Sequence, residues 1–319
     1  MFKLPVIPLS EDLIDKAFRQ AAKAARIEKG KGKKQSREDR YLNAELARVK
    51  VAGSVITGDL LAVVAGFPSY DQMSDFHKQL FTTQVSLDFY RKSLGRIQGV
   101  GNKVADLKSS YMKKLKTTRE PDKSRAFLGR AASMVKKING ELTWLVEVKT
   151  ILKSFPTLKP DPTIVIAGYP NVGKSTFLRT LTKSKVKTAP YPFTTQSILI
   201  GYRKHRYIPH QLVDTPGLLD RPLADRNPIE GQAIAAIKHL AHAAIFIFDP
   251  TQEIEPQLNL YEDVREMLES PIVTSVNLKE DAEGEYPCDP VYFNALEERD
   301  CVRLFTECAK KIDYDKITV

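Results

Sequence analysis

The sequence predicts an all-α helical bundle over residues 1–160, followed by an α/β P-loop domain over residues 161–319 whose mostly parallel sheet carries helices on both faces. Three observations carry this expectation. The first half repeats its apolar positions at helical spacing and shows almost no alternation of period two. The stretch Phe155-Pro-Thr-Leu-Lys-Pro-Asp-Pro162 holds three prolines in eight residues and reads as the linker between the halves. From residue 163 onward, short apolar runs rich in β-branched residues alternate with helical stretches, as in a parallel sheet with crossover helices.

Each element follows from local chemistry. Ser10-Glu-Asp-Leu13 supplies an N-cap and acids for a first helical turn, and the helix runs to about Glu28. Lys29-Gly-Lys-Gly-Lys-Lys34 interrupts it with a basic glycine-containing loop. A second helix spans Arg37 to Leu61, weakened at Gly53. Phe67-Pro-Ser-Tyr-Asp71 is a turn, and helix resumes from Gln72 to Leu94. Further helices fit Lys103–Lys116 and Lys123–Phe155, with Trp144 on an apolar face as a core residue, and short connections between such segments imply a bundle. Leu94-Gly-Arg-Ile-Gln-Gly-Val-Gly-Asn-Lys-Val-Ala105 has two readings: a break between bundle helices, which is preferred, or a helix-hairpin-helix whose amides meet a nucleic-acid phosphate. In the second half, strands are expected at Thr163–Ala167, Gln211–Asp214, Ala243–Phe248 and Ile272–Val276, with Ser197–Tyr202 pairing near an edge.

Composition narrows the function classes. At 319 residues the chain is long enough for two domains. No apolar run approaches a membrane span, and two prolines interrupt the N-terminal apolar stretch, so neither a membrane partner nor a signal peptide is expected. Cys288, Cys301 and Cys308 are odd in number and lack metal-ligand spacing, which points to a reducing cytoplasm and no disulfide-linked partner. Residues 1–160 contain 31 Lys and Arg against 16 Asp and Glu, whereas residues 161–319 contain 18 against 23. A basic half beside an acidic half favours a polyanionic partner for the first. His205, His210, His239 and His242 lack carboxylate or thiolate neighbours at ligand spacing and read as packing or surface residues.

The chemistry concentrates at Gly168-Tyr-Pro-Asn-Val-Gly-Lys-Ser175, which fits the phosphate-binding P-loop and lies between an apolar strand and the helical run opening at Thr176. In this context Gly168, Asn171, Val172, Gly173, Lys174, Ser175 and Thr176 form an anion cradle of backbone amides at a helix N-terminus. Lys174 would reach the β- and γ-phosphates, and the Ser175 hydroxyl would ligate Mg²⁺. Asp214-Thr-Pro-Gly217 follows an apolar strand, which suits Asp214 to holding Mg²⁺ through water and the Gly217 amide to sensing the γ-phosphate. Tyr191-Pro-Phe-Thr-Thr-Gln196 is placed as a switch loop, with Thr195 preferred over Thr194 as the residue that closes on Mg²⁺ and the γ-phosphate.

These motifs, with Leu13–Phe18, Phe67–Asp71 and the long run Leu218–Ala233, resemble the nucleolar GTP-binding protein (Nog) family, an Obg-like branch of P-loop GTPases with archaeal-type members. The resemblance covers nearly the whole chain. It implies a GTP/GDP-binding, GTP-hydrolysing switch in large ribosomal subunit assembly. The basic helical domain would contact the rRNA of the large subunit and its precursor particles, with ribosomal proteins as further neighbours. In related GTPases an asparagine at the position of Asn171 helps hold K⁺, so Asn171 is a candidate K⁺ ligand. The segment Arg26–Lys34 is the preferred rRNA-backbone contact.

Two departures leave alternatives open. Leu218 stands where Ras-like GTPases place a water-orienting glutamine, so a slow intrinsic rate is expected. The guanine motif N-K-x-D reads Asn277-Leu-Lys-Glu280 here. Glu280 keeps a carboxylate with a longer reach, and Asn294-Ala295-Leu296 replaces S-A-L, with the Ala295 amide facing a purine oxo group. GTP stays ahead of ATP, the substrate of Obg-like ATPases with a similar motif. A nucleotide-binding assembly placeholder with negligible hydrolysis is the remaining alternative.

Overall fold

The computed structural model describes residues 3–31, 36–120, 122–156, 158–159, 161–183, 186–189, 197–216, 219–220, 234, 237–278 and 285–317. The chain divides into two compact units: Phe2–Gln72 with Val85–Lys153, and Met73–Gln84 with Ser154–Val319.

The first unit is helical. Its helix α1 (Ser10–Gly30) buries Leu13, Ala17, Ala21 and Ala25 at a spacing of four, which puts one stripe on the core. Ser10 is the first helical residue rather than the cap. Leu9 takes the cap position without a side-chain bond, and the Ser10 amide donates instead to Asn139 Oδ1 at 3.2 Å. Helix α2 (Arg37–Gly66) is capped by Ser36, whose hydroxyl accepts from the Asp39 amide at 3.0 Å. It buries Val49, Ala52, Ile56, Leu60 and Val63. By length and composition alone this helix is apolar enough to cross a membrane; here it packs against α1 and a later helix.

Four sequence expectations change over residues 72–155, of which Met73–Gln84 groups with the second unit. The helix expected over 72–94 is divided into a 3-10 turn, α3 (Asp75–Gln84) and a new start at Ser86, which caps the Phe89 amide. Helix α4 (Leu87–Thr118) then runs unbroken through Gly95, Gly99 and Gly101, so Leu94–Ala105 forms neither a break nor a hairpin. Each interior glycine costs about 1 kcal/mol of helix propensity, but burial of Ile97 and Val104 offsets it. The small residues also let α2 and α4 approach closely. A Cβ on Gly53 would meet Lys108 Cδ at 2.8 Å, and Thr57 Oγ1 donates to the Gly101 carbonyl at 3.3 Å. The helix expected over 123–155 divides at Lys137-Ile138 into α5 (Asp122–Lys136) and α6 (Asn139–Ser154). Trp144 is half-buried rather than core, its ring edge-on to Phe89, which is 44% exposed, at 4.5 Å.

The second unit holds a seven-stranded mixed, mostly parallel sheet in the order β2-β3-β4-β1-β5-β6-β7. Its strands are β1 (Thr163–Ala167), β2 (Lys187–Ala189), β3 (Ile198–His205), β4 (Ile208–Asp214), β5 (Ala243–Phe248), β6 (Ile272–Asn277) and β7 (Val291–Phe293). β1 lies between β4 and β5, parallel to both, and β2-β3-β4 is an antiparallel edge. Helices α7 (Lys174–Thr182), α8 (Ile254–Met267) and α9 (Glu298–Lys310) accompany the sheet, together with helical residues 237–240 and a 3-10 turn at Tyr314–Lys316.

Strand periodicity assigns the two faces. Ile245 and Ile247 of β5 join the cluster of Phe177, Leu178, Leu304 and Phe305 from α7 and α9. The alternate residues Phe246 and Phe248 pack on Tyr261 of α8, with ring centroids 5.2 and 5.8 Å away. A strand covered on both faces must be apolar throughout, which is why β1 and β5 are unbroken apolar runs. The two three-residue strands β2 and β7 escape sequence reading because they are too short to show a period.

Candidate nucleotide site and basic helical end

β1 delivers the chain into the glycine loop at the carboxyl edge of the parallel strands. Gly168 has φ 143° and a Cβ there would stand 2.5 Å from the Ile247 carbonyl oxygen; Gly173 has φ 102° and a Cβ would stand 2.5 Å from Asn277 Nδ2. Both positions therefore need glycine for conformation and for space. Asn171 adopts a left-handed φ of 64° and is exposed at the loop tip. Helix α7 starts at Lys174 with no acid in its first turn, which leaves its amide dipoles free to favour an anion. Val172 is buried beneath the loop, and Thr176 is half-buried in that first turn.

Lys174 is 7% exposed and folds back over the loop, donating through Nζ to the carbonyls of Gly168 and Tyr169, both at 2.7 Å. Burial pulls its pKa below the usual lysine range, partly opposed by Asp214 and Asp220. Ser175 Oγ donates to Asp214 Oδ2 at 2.5 Å. Asp214 is fully buried, and burial raises its pKa against the Ser175 hydrogen bond and the Lys174 charge. Among the described residues its Oδ1 and the neighbouring Thr215 Oγ1 have no hydrogen-bond partner. An oxygen-only set with a bare buried carboxylate oxygen fits a hard divalent cation such as Mg²⁺. Ser175 Oγ would hold it directly and Asp214 through water.

The base side is organised around Asn277. Its Nδ2 donates to the Val172 carbonyl at 2.9 Å, and its Oδ1 accepts from the Ala295 amide at 3.0 Å. The side chain thus ties the P-loop to the end of β7, and the Ala295 amide expected to face a purine oxo group is already donated to Asn277. Asn294 Oδ1 accepts from the Leu296 amide at 2.9 Å, forming a tight turn that leaves Leu296 75% exposed. Thr194, Thr195, Gly217, Leu218 and Glu280 lie outside the described residues.

Sequence reasoning missed a second brace. Asp249, fully buried at the end of β5, accepts from the Thr251 amide and hydroxyl through Oδ1 and from Gln252 Nε2 through Oδ2. Gln252 Nε2 also donates to the P-loop carbonyl of Pro170 at 3.2 Å. The available signal was the same one that marks Asp214: a carboxylate directly after an apolar strand.

In the helical unit, Arg26 lies in α1 as expected and Lys29 belongs to its last turn rather than to the loop, while Lys33 and Lys34 lie outside the described residues. A cavity of about 450 Å³ is lined by Arg37, Glu38, Tyr41, Leu42 and Arg119. Lys29 Nζ sits 4.7 Å from the centre of the Tyr41 ring. Two guanidinium groups beside an aromatic ring suit a polyanion carrying flat bases. The histidines pack as expected: His210 is buried with Nε2 at 2.8 Å from Tyr314 Oη, and His242 Nδ1 accepts from the Thr163 amide at 3.1 Å.

Comparison with known proteins adds the lineage of both units. A family model for the NOG1 N-terminal helical domain matches residues 2–158, and one for the 50S ribosome-binding GTPase matches residues 163–278. The chain is 36% identical over 283 residues to MJ1408 of Methanocaldococcus jannaschii, covering 86% of this chain and 79% of that protein. It is 31% identical to nucleolar GTP-binding protein 1 of Drosophila melanogaster and 34% identical to that of Saccharomyces cerevisiae, with 86% and 74% of this chain aligned. The chain spans less than half the length of those two nucleolar relatives, 43% and 38%.

Proposed function

This chain belongs to the family of nucleolar GTP-binding protein 1 and its archaeal homologues, and from that premise we propose that it binds GTP and GDP, hydrolyses GTP, and acts in the cytoplasm as a switch in assembly of the large ribosomal subunit. The observation that carries the reading is the Lys174–Ser175–Asp214 arrangement. A buried lysine is drawn over a glycine loop, beside a serine hydroxyl and a carboxylate with one open oxygen. Lys174 would leave its two carbonyl contacts for the β- and γ-phosphates, and the α7 amides would hold the remaining charge. Mg²⁺ bound at Ser175 and Asp214 would neutralise phosphate charge. Asn171, exposed at the loop tip, would add K⁺ at the same phosphates.

Thr195 and Gly217 would read the γ-phosphate, and Leu218 offers no hydrogen bond to an attacking water, so slow basal turnover and acceleration by a partner are expected. The basic helical unit would contact large-subunit rRNA, on which the Arg37–Tyr41–Arg119 cavity and the positive charge of that half both bear. The test is GTP turnover with and without purified large ribosomal subunits, in K⁺ and in Na⁺. A slow rate raised by subunits and by K⁺ supports the switch and the Asn171 site. Binding without hydrolysis under every condition would replace the switch with a passive placeholder. Asn277-Leu-Lys-Glu280 motivates the ATP alternative, and tighter binding of ATP than GTP in direct competition would establish it.

A further inference from the structure

The β3–β4 hairpin ends in the two-residue loop Arg206-Tyr207, with φ of 47° and 68°. A two-residue loop with both φ values positive is normally filled by Asn-Gly or Gly-Gly, and a bulky side chain there is strained. The tyrosine held in this strained position is 95% exposed. Lys204, Arg206, Ile208 and Pro209 around it are exposed too.

Below the tip the hairpin is anchored. His205 and His210 meet Phe305 of α9 edge-on at 6.2 and 5.5 Å, and His210 is hydrogen-bonded to Tyr314. Arg203, lower on the strand, faces Glu298 at 3.5 Å, whereas Lys204 and Arg206 have no ion-pair partner among the described residues. A cationic tip with an exposed aromatic ring therefore projects from the half of the chain whose net charge is negative. β4 runs parallel to β1 and reaches the phosphate site only at Asp214. The tip thus lies about 20 Å from that site, at the opposite end of the strand.

We propose that this tip is an RNA-docking finger: Tyr207 stacks on an unpaired base while Lys204 and Arg206 contact flanking phosphates. The proposal rests on the large-subunit reading above and adds a contact in the second unit, separate from the basic helical end. An aromatic ring accepts any base face, and the adjacent cations complement the backbone. The loop backbone sets the direction in which the Tyr207 Cα–Cβ bond leaves the tip.

The test is binding of the full chain to protein-free large-subunit rRNA across a salt series, with whole large subunits in parallel. Tyr207→Ala should weaken rRNA binding about fivefold to tenfold, and Tyr207→Phe should restore it. Lys204→Ala with Arg206→Ala should lower the salt slope by about 1.5. Tyr207 is solvent-exposed, so the thermal midpoint and basal turnover should stay at wild-type values. Unchanged affinity in Tyr207→Ala overturns the finger, and if Arg37→Glu with Arg119→Glu still weakens binding, the rRNA reading of the helical unit survives it. A wild-type chain that binds no rRNA overturns both. Weakened binding to whole subunits but not to bare rRNA would assign the tip to a protein surface and overturn the RNA proposal.

Discussion

Glu45 in the helical unit and Asp214 in the nucleotide unit are both buried carboxylates, yet their surroundings differ. Glu45 accepts two bonds from Arg48, at 2.8 and 2.7 Å, and a third from the Ser124 hydroxyl. Glu141, also buried, is paired with Arg96 in the same unit. Among the described residues Asp214 accepts one side-chain hydrogen bond and its Oδ1 has no partner, and its cationic neighbour Lys174 bonds to two carbonyls rather than to a carboxylate. Burial raises the Asp214 pKa and lowers that of Lys174, so each ion is held at a cost that a bound cation or phosphate would remove. Buried charge that serves the fold is locally saturated, and buried charge that serves a site keeps an open valence.

The comparison can be broken by mutating each side. Glu45→Ala should have the largest effect, destabilising the helical unit by about 3 kcal/mol because Arg48 and Ser124 lose their partner. Urea unfolding followed by circular dichroism would read this, and a loss under about 1 kcal/mol would remove Glu45 as an anchor. Lys174→Ala should do the reverse: GTP turnover should fall about 100-fold or more while the unfolding midpoint holds or rises. A large drop in stability would place Lys174 with Glu45 instead. Asn277→Ala sharpens the contrast, since that side chain serves both ends. Losing its bonds to Val172 and Ala295 should weaken nucleotide binding about tenfold and lower the melting temperature by a few degrees, measured by titration calorimetry and by scanning.

The smallest effect concerns acid. His77, His210 and His242 all lie in the second unit, and burial lowers the pKa of each from 6.5. Their folded forms prefer to be neutral, so the unfolded chain takes up protons first. The contribution of these residues is complete above pH 6.5 and declines as pH falls from there toward the lowered folded values. His210→Gln with His242→Gln should flatten the stability profile between pH 6.5 and 5; an unchanged slope would show that other groups set it.

Legibility in the sequence tracked the range of the interactions. The P-loop was readable because Gly168 through Ser175 are contiguous and each is constrained by its neighbours. The apolar strands β1 and β5 were readable because burial on both faces demands an unbroken run. The splits at Val85 and Lys137 and the continuity of α4 through three glycines were not, because packing between helices overrides propensities of about 1 kcal/mol per residue.

The sequence by itself therefore determined the P-loop motif, the order of a basic helical domain before an α/β domain, and the residues aligned with the usual guanine motif, whereas the tertiary structure groups Met73–Gln84 with the α/β unit. Only the tertiary structure decided what those residues touch. Asn277 reaches Val172 across the sheet, Gln252 reaches Pro170, and Asn139 bonds the first amide of α1. The reason is physical: local spacing sets which side chains share a strand or helix face, whereas hydrogen bonds between residues roughly a hundred positions apart exist only once packing has closed the chain.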